Sequence, residues 1–226
     1  MSSNAITSNA LQRPATIGPG YAFDWALAIG CSVKRAMDVL LSAAALVLVS
    51  PLLAVIVLVI RMNSAGPAIY CAPRAGKNGR PFLCYKFRTM VVNADSFKEE
   101  LRARNERQGA FFKLADDPRV THVGRILRRY SLDELPQLWN VLKGEMSLVG
   151  PRPHPLDDFE RYAPGDAARL SVTPGVTGLW QVTARRDPSF RRNVQLDLEY
   201  IENWSLTMDL QIICRTIPAV LRGTGA

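Results

Sequence analysis

The uncharged apolar run Val39–Ile60 is the feature that most constrains this chain. It is 22 residues long, and basic residues flank it, Lys34 and Arg35 before it and Arg61 after it. An α-helix of this length extends about 33 Å, which is enough to cross a bilayer. Because long core helices of soluble proteins normally carry polar breaks, the run predicts a membrane helix rather than a buried core helix.

Ser50-Pro51 stands in the middle of this run. Proline removes one backbone donor and clashes with the preceding turn, so the helix is expected to kink there. Two arrangements follow. A kinked helix would span the bilayer, whereas a sharply bent one would enter and return to the same side. Basic flanks at both ends favour keeping both ends in the cytoplasm, but the residues alone leave the two arrangements open.

The run divides the chain into three predicted parts. Residues 1–30 are expected to form a disordered tail that does not have the layout of a secretory signal, residues 31–62 the membrane helix, and residues 63–226 a soluble body. The net charge is +8 and falls mostly on the body. A basic body implies anionic partners, which are nucleic acid, an acidic lipid surface or phosphorylated small molecules.

Local patterns in the body predict an α+β fold that is mostly helical. A small strand element is expected around residues 68–90, followed by an exposed helix over 95–113. Apolar residues at helical spacing from Val120 to Leu127, with arginines alongside, predict a basic amphipathic helix suited to a membrane surface. The stretch Leu206–Val220 predicts an interfacial or core helix. The four cysteines form no C-x-x-C pair, so we expect free thiols and no zinc site.

Two adjacent carboxylates, Asp133 and Glu134, are the strongest candidates for chemistry. One interpretation is structural, because Ser131 and Glu134 fit a capping box at a helix start. The other is functional: carboxylates beside Arg128 should have lowered pKa values and stay ionised, as a nucleophile or a magnesium ligand requires. If Pro136 is the first helical residue, both carboxylates lie on the preceding loop.

Two further segments carry arginines. In GEMSLVGPRP, prolines on both sides of Arg152 restrict the backbone that presents its guanidinium. In TPGVTGLWQVTARRD, a glycine-rich turn precedes Arg185. Trp180 in this segment is expected to be a core or interface anchor.

Together these segments resemble the bacterial sugar transferases, and more specifically the monotopic polyprenyl-phosphate phosphoglycosyl transferases that initiate exopolysaccharide assembly. The resemblance runs from about Lys34 to the end of the chain. It is carried, in order, by KRAMD, Ser50-Pro51, GKNGRPF, KFRTM, DDPRVTHVGRILRRYSLDELPQLWNVLKGEMSLVGPRP, TPGVTGLWQV and LDLEYIENWSL.

The resemblance implies a reaction and a role for the dyad. Asp133 would attack the β-phosphate of a UDP-sugar and expel UMP, giving an aspartyl phosphosugar that a polyprenyl phosphate resolves. Glu134, with Asp133, would hold Mg²⁺. The residues expected to bind substrate phosphate are Arg128, Arg152, Arg185, Lys86 and Arg88.

The resemblance also selects the re-entrant arrangement. Ser50 and Pro51 would form the hairpin bend, and Lys34 and Arg35 would contact lipid headgroups at the cytoplasmic face of the bacterial inner membrane. The expected partners are a UDP-sugar, a polyprenyl phosphate and membrane lipids, with no nucleic acid, and a homodimer is left open. The identity of the sugar, glucose or galactose, is also open.

Two positions depart from the family pattern, and two other functions compete. Ala72 and Ala184 replace a common glutamine and glycine, which affects the expected pocket shape and not the dyad. A membrane-anchored nucleic-acid-binding protein would also be basic, but no signature of such a protein occurs. A lipid-binding scaffold would use the dyad only as a helix cap.

Overall fold

The computed structural model describes residues 25–101, 114, 116–163, 165–185 and 187–223. The first helix begins at Trp25, so the predicted tail, placed at residues 1–30, is too long at its C-terminal end. Residues 1–24 lie outside the described residues. So does most of the predicted exposed helix over 95–113.

The described residues form eight α-helices and four β-strands. The helices are α1 (Trp25–Asn63), α2 (Lys98–Leu101), α3 (His122–Arg129), α4 (Gln137–Lys143), α5 (Leu156–Phe159), α6 (Leu179–Thr183), α7 (Phe190–Glu202) and α8 (Leu206–Leu221). The strands are β1 (Ile69–Ala75), β2 (Pro81–Phe87), β3 (Ser147–Val149) and β4 (Gly175–Thr177). Short 3₁₀ turns occupy Lys77–Gly79, Ala94–Phe97, Leu132–Glu134 and Asp166–Leu170. The predicted mostly helical fold with a small β element is confirmed.

Helix α1 contains the whole predicted apolar run. Its segment Ala28–Asn63 is long and apolar enough to cross a membrane. Large aliphatic side chains in its middle are exposed, with Val47 at 76% and Leu48 at 81%. A contiguous apolar surface of this kind is unfavourable in water, so the helix indicates association with a membrane.

Pro51 lies inside α1, which continues through it. Because proline has no N–H, the carbonyl of Val47, four residues earlier, loses its helical donor. The Ser50 hydroxyl donates to that same carbonyl at 2.8 Å. Ser50 thus satisfies the acceptor that Pro51 leaves open, which is important where no water can do so.

The N-terminal part of α1 is fixed to the body by a buried ion pair. Lys34 Nζ donates to Asp209 Oδ2 at 2.7 Å and to the carbonyl of Val149 at 3.1 Å. Asp209 is fully buried and also accepts from Tyr200 Oη at 2.8 Å and from Trp204 Nε1 at 3.2 Å. This network joins α1, β3, α7 and α8.

Two more polar contacts join the same part of α1 to the body. Arg35 donates to the carbonyls of Val141 at 2.6 Å and Leu142 at 2.9 Å, near the C-terminal end of α4, where a cation is favourable. The backbone N–H of Leu148 donates to Asp38 Oδ1 at 3.0 Å, and Asp38 is buried.

Lys34 and Arg35, which we expected at lipid headgroups, are thus also engaged by the body, and their contact with headgroups stays a prediction. Both side chains have protein partners more than a hundred residues away in the sequence. A basic flank beside an apolar run looks the same in the sequence whether it faces lipid phosphate or a folded body.

The C-terminal part of α1 packs on the same body. Ile56 and Ile60 are buried and contact Ala68, Phe87 and Leu127, which belong to the start and end of the β-hairpin and to α3. Both flanks of the apolar run are thus attached to the body, while its middle stays exposed.

The hairpin β1–β2 is the predicted strand element. Its strands are antiparallel, with Ile69 opposite Phe87 and Ala75 opposite Pro81. Asn140 of α4 fixes this hairpin, because its Oδ1 accepts from the N–H of Tyr85 at 2.9 Å and its Nδ2 donates to the carbonyl of Leu83 at 2.7 Å. The hairpin and α4 therefore keep a fixed relative position on either side of the segment that carries Asp133 and Glu134.

The second core cluster lies at the C-terminal side of the body. Val149 of β3 packs with residues of α6, α7 and α8, which are Leu179, Trp180, Leu196, Tyr200 and Ile212. Trp180 is 8% exposed, as expected of a core anchor. Strands β3 and β4 are parallel and lead directly into the functional site.

Candidate active site

A cleft of about 510 Å³ lies between the β-hairpin, the dyad turn and the segment that follows β3. Among the described residues, seven cationic side chains line it: Arg74, Lys86, Arg88, Arg119, Arg128, Arg152 and Arg185. The carboxylates in its wall are Asp95, Asp133, Glu134 and Asp158. The predicted site residues are therefore brought together, in surroundings that favour an anionic ligand.

The dyad lies on a 3₁₀ turn, Leu132–Glu134, immediately before α4. Ser131 before it has φ of 54°, the left-handed region that non-glycine residues seldom adopt, and its side chain makes no capping bond. Instead its Oγ accepts a hydrogen bond from Arg185 at 2.9 Å. The predicted capping box is therefore wrong. Pro136 directly precedes α4, so both carboxylates stand ahead of that helix.

Glu134 is held by two cations. Arg152 donates to both carboxylate oxygens, from Nη1 to Oε2 at 3.2 Å and from Nη2 to Oε1, and Lys86 Nζ donates to Oε1 at 2.9 Å. Burial alone would raise the pKa of Glu134, but the charges and hydrogen bonds of Arg152 and Lys86 outweigh it and hold that pKa well below its usual range. Glu134 is thus a fixed anion.

Asp133 has a different environment. It is 8% exposed, lines the cleft and accepts no hydrogen bond from any residue within the described ranges. Burial raises its pKa, and the negative charge of Glu134 raises it further, against the opposing charges of Lys86, Arg128 and Arg152. The expectation that both pKa values are lowered is therefore correct for Glu134 and wrong for Asp133, because the cations contact Glu134 directly.

The segment that carries Arg152 is fixed at its start by strand pairing. The N–H of Gly150 donates to the carbonyl of Thr177, and the N–H of Gly175 donates to the carbonyl of Pro151, both at 2.9 Å. A Cβ at Gly175 would lie 2.1 Å from the nitrogen of Gly150. Only glycine allows this close approach. The segment TPGVTG therefore packs directly against the backbone that leads to Arg152 and fixes its position.

A buried arginine, Arg169, holds the same segment from the other side. It donates to Asp197 Oδ2 from Nε at 2.8 Å, to the carbonyl of Arg152 at 2.7 Å and to the Tyr162 hydroxyl at 3.0 Å. That hydroxyl also bonds His154 Nδ1. Burial and the neighbouring arginines hold the pKa of His154 well below its usual range. This network, which the sequence did not predict, anchors the backbone of Arg152.

Two other arginines, Arg128 and Arg74, face the cleft with guanidinium nitrogens that donate to no described residue. Arg128 donates from Nε to Thr89 Oγ1 at 2.9 Å, and its two terminal nitrogens have no partner in the described part of the chain. The Arg74 side chain lines the cleft and makes no hydrogen bond or ion pair with any described residue. The sequence predicts no role for Arg74, which stands next to the last residue of β1, just before the turn GKNG.

Arg88 is engaged elsewhere. It donates to the carbonyl of Ala65 at 2.8 Å and to the carbonyl and hydroxyl of Ser64 at 2.8 and 2.9 Å. These residues follow α1 directly, so Arg88 fixes the segment after the apolar helix to the end of the hairpin. The sequence did not predict this structural role. Binding of substrate phosphate by Arg88 stays a prediction.

The dyad can contribute to a magnesium site without forming one alone. Within the described ranges, no three His, Cys, Asp or Glu side chains gather as a metal-binding group. Mg²⁺ is commonly held by one or two carboxylates together with substrate phosphates. Oε2 of Glu134 accepts a single hydrogen bond, from Arg152, and Asp133 accepts none. These carboxylates therefore fit an ion that a substrate diphosphate helps to hold.

The sequence pattern of a family described as bacterial sugar transferase matches residues 29–223. The chain is 46% identical over 202 residues to the exopolysaccharide production protein ExoY of Rhizobium meliloti, covering 88% of this chain and 89% of that protein. It is 46% identical over 198 residues to the undecaprenyl-phosphate galactose phosphotransferase of Salmonella typhimurium, covering 86% of this chain and 41% of that enzyme.

A third relative is the UDP-glucose:undecaprenyl-phosphate glucose-1-phosphate transferase of Caulobacter vibrioides. It is 42% identical over 196 residues, which are 83% of this chain and 69% of that enzyme. The chain thus spans most of ExoY but about two fifths of several larger relatives.

Proposed function

Because the chain belongs to the bacterial sugar transferase family, we propose that it transfers a hexose 1-phosphate from a UDP-sugar to undecaprenyl phosphate, with release of UMP. The observation that carries the proposal is the environment of Asp133. This carboxylate has no protein partner among the described residues and lines a cleft with seven cationic side chains. Its neighbour Glu134 is fixed by Arg152 and Lys86.

The first step is attack by a carboxylate oxygen of Asp133 on the β-phosphorus of the UDP-sugar. A bond forms between that oxygen and phosphorus, and the bond from phosphorus to the bridging oxygen breaks. UMP leaves with the electron pair of the broken bond. The product is an aspartyl phosphosugar, and nucleophilic catalysis of this kind divides one transfer into two displacements.

The second step returns the enzyme to its starting state. A phosphate oxygen of the polyprenyl phosphate attacks the same phosphorus, and the bond to Asp133 breaks with its electron pair on the carboxylate. The lipid then carries a diphosphate-linked sugar. The first step requires an ionised Asp133, which gives its pKa a direct role in the rate, and the second step releases Asp133 again as a carboxylate.

The cations divide between two tasks. Arg152 and Lys86 neutralise Glu134 and keep it still, while Arg128 and Arg74 have guanidinium nitrogens available for phosphate oxygens. Fixed positive groups at the position of developing negative charge are usually the largest electrostatic contribution to catalysis. A bound Mg²⁺, held by Glu134 and Asp133 with the diphosphate, would neutralise the diphosphate and stabilise the leaving phosphate.

Attachment of both flanks of α1 to one body supports the re-entrant arrangement. A straight helix would separate Arg35 from Ile60 by about 37 Å. Yet Arg35 contacts Val141 of α4, and Ile60 contacts Phe87 of the hairpin that α4 holds through Asn140. A bend at Ser50-Pro51 would return the chain to the same surface, and both ends would lie in the cytoplasm.

Exposed apolar side chains on the body support an interfacial position. Ile126 of α3 is 49% exposed, and on α8 Ile217 is 57% and Leu221 74% exposed. With neighbouring arginines, such helices suit the surface of an anionic membrane. Since UDP-sugars are cytosolic, the body would face the cytoplasm from the inner membrane. Whether it acts as a homodimer is tested by the mass of the detergent-solubilised particle.

The direct test is a panel of UDP-sugars incubated with purified protein and undecaprenyl phosphate, with UMP release measured for each. The proposal requires release that depends on both substrates, with one sugar strongly preferred. A scaffold that only binds lipid, the competing interpretation of the dyad, would release no UMP with any member of the panel.

A further inference from the structure

A second cavity adjoins the cleft on the side of α8. It encloses about 660 Å³ between the end of α6, the turn that follows it and one face of α8. Gln181 and Arg185 line both this space, which we name the α8 cavity, and the cleft. The two spaces therefore meet at Arg185, which donates to Ser131, two residues before Asp133.

The α8 cavity is basic. Within the part of the chain that the structure describes, three arginines and one carboxylate line it: Arg185, Arg215, Arg222 and Asp187. Arg215 lies on α8, and Arg222 directly follows the helix with a helical backbone conformation. Because they are seven residues apart, they lie on one face. Both side chains are exposed, and neither guanidinium group makes a hydrogen bond or ion pair with any residue the structure describes. Their guanidinium groups are available to an anion.

Apart from Gln181 and Thr183, the uncharged residues that line the cavity in the described part of the chain are aliphatic. Val182, Pro218 and Ala219 line the cavity, and no aromatic ring belongs to the described wall. Ile217 and Leu221 on the same part of α8 are 57% and 74% exposed. Without a ring for a base to stack on, the cavity does not suit a nucleotide. Arginines beside exposed aliphatic side chains suit a phosphate carried on a hydrocarbon chain.

We propose that the α8 cavity binds the phosphate of the lipid acceptor and that Arg185 passes it to the aspartyl phosphosugar. This inference rests on the proposed function. The nucleotide sugar occupies the cleft, and the long-chain phosphomonoester approaches from α8 along the membrane surface. Arg215 and Arg222 hold its phosphate first, and the shared Arg185 brings it to the side of Asp133.

The test separates the two displacements. The first is measured alone, without lipid, as exchange of labelled UMP into the UDP-sugar. The second is measured as the KM for undecaprenyl phosphate in neutral detergent micelles, which carry no anionic surface. We expect the double variant R215Q/R222Q to raise that KM by about tenfold or more, since each arginine would lose a charged hydrogen bond. The exchange should continue at close to the rate of the unaltered protein.

Arg191→Gln is the matched control. Arg191 is exposed on α7 and lines neither space, so its replacement should leave both measurements unchanged. An unaltered KM in the double variant would overturn the acceptor site. A loss of UMP exchange in the double variant as large as its rise in KM would also overturn the acceptor site, because the arginines would then bind the nucleotide sugar. Absence of exchange in the unaltered protein would instead refute the covalent first step.

Discussion

Arg152 donates hydrogen bonds from both terminal nitrogens to the two carboxylate oxygens of Glu134. This contact makes two adjacent acids chemically unequal. Glu134 stays ionised because its pKa is held low, whereas burial and the charge of Glu134 raise the pKa of Asp133. The fixed acid therefore influences the protonation of the reactive one.

The first prediction concerns the acidic limb of the pH–rate profile for UMP release. The pKa of Asp133 is raised in the folded protein. As the pH is lowered, the nucleophile is therefore protonated, and the rate falls, at a higher pH than for an ordinary aspartate. Glu134→Gln removes a charge that raises this pKa, so the limb should move to lower pH. Arg152→Gln removes a charge that lowers it, so the limb should move to higher pH.

Both variants should also lose rate, by about a hundredfold. The measurement is kcat/KM for the UDP-sugar across the pH range, with Arg191→Gln as a control of unchanged profile. Shifts in the same direction for Glu134→Gln and Arg152→Gln would contradict this electrostatic description.

A second prediction concerns stability. Lys34→Met leaves the buried carboxylate of Asp209 without its cation, which should lower the free energy of unfolding by about 3–5 kcal/mol. Lys143→Met removes the cation of a more exposed pair with Glu145 and should change stability little. Chemical denaturation in detergent measures both. Equal effects would mean that the Lys34 pair does not hold α1 to the body.

Much of this fold could be predicted because its signals are local. The apolar run Val39–Ile60, the hairpin around residues 68–90 and the basic helix α3 each follow from the spacing of neighbouring residues. The family resemblance is confirmed by the match over residues 29–223, and with it the prediction of a sugar transferase. Four residues predicted to bind substrate phosphate, Arg128, Arg152, Arg185 and Lys86, all line the cleft beside the dyad.

The errors and omissions arise where partners are distant in the sequence or where the backbone is unusual. Lys34 meets Asp209 across 175 positions, and no local pattern contains that pairing. Ser131 fits a capping box by spacing, but its left-handed backbone turns the hydroxyl toward Arg185. Arg74 lies on β1, and Arg88 directly follows β2. Only the folded structure shows that Arg88 bonds the residues after α1, whereas the Arg74 side chain faces the cleft without a described partner.

A third prediction concerns topology. A cysteine replacing Ser8, in a background without the four native cysteines, should resist a membrane-impermeant maleimide in intact cells, because a re-entrant α1 keeps both chain ends in the cytoplasm. A cysteine replacing Gly225 should behave identically, and both should react after lysis. Labelling at residue 8 from outside, with residue 225 protected, would establish a spanning helix.

A fourth prediction concerns the metal. Excess EDTA should stop UMP release, and Mg²⁺ added beyond the chelator should restore it, since the dyad and a diphosphate together supply the oxygen ligands that Mg²⁺ prefers. Full activity in EDTA would remove Glu134 and Asp133 from their role as ligands.

The central claim is that Asp133 becomes covalently bonded to the phosphosugar. Intact-protein mass spectrometry after incubation with the preferred UDP-sugar, without lipid acceptor, measures this directly. The unaltered protein should gain the mass of one hexose phosphate, and Asp133→Asn should gain none while remaining folded and membrane-associated. The same mass gain in Asp133→Asn, or turnover by that variant, would contradict the claim.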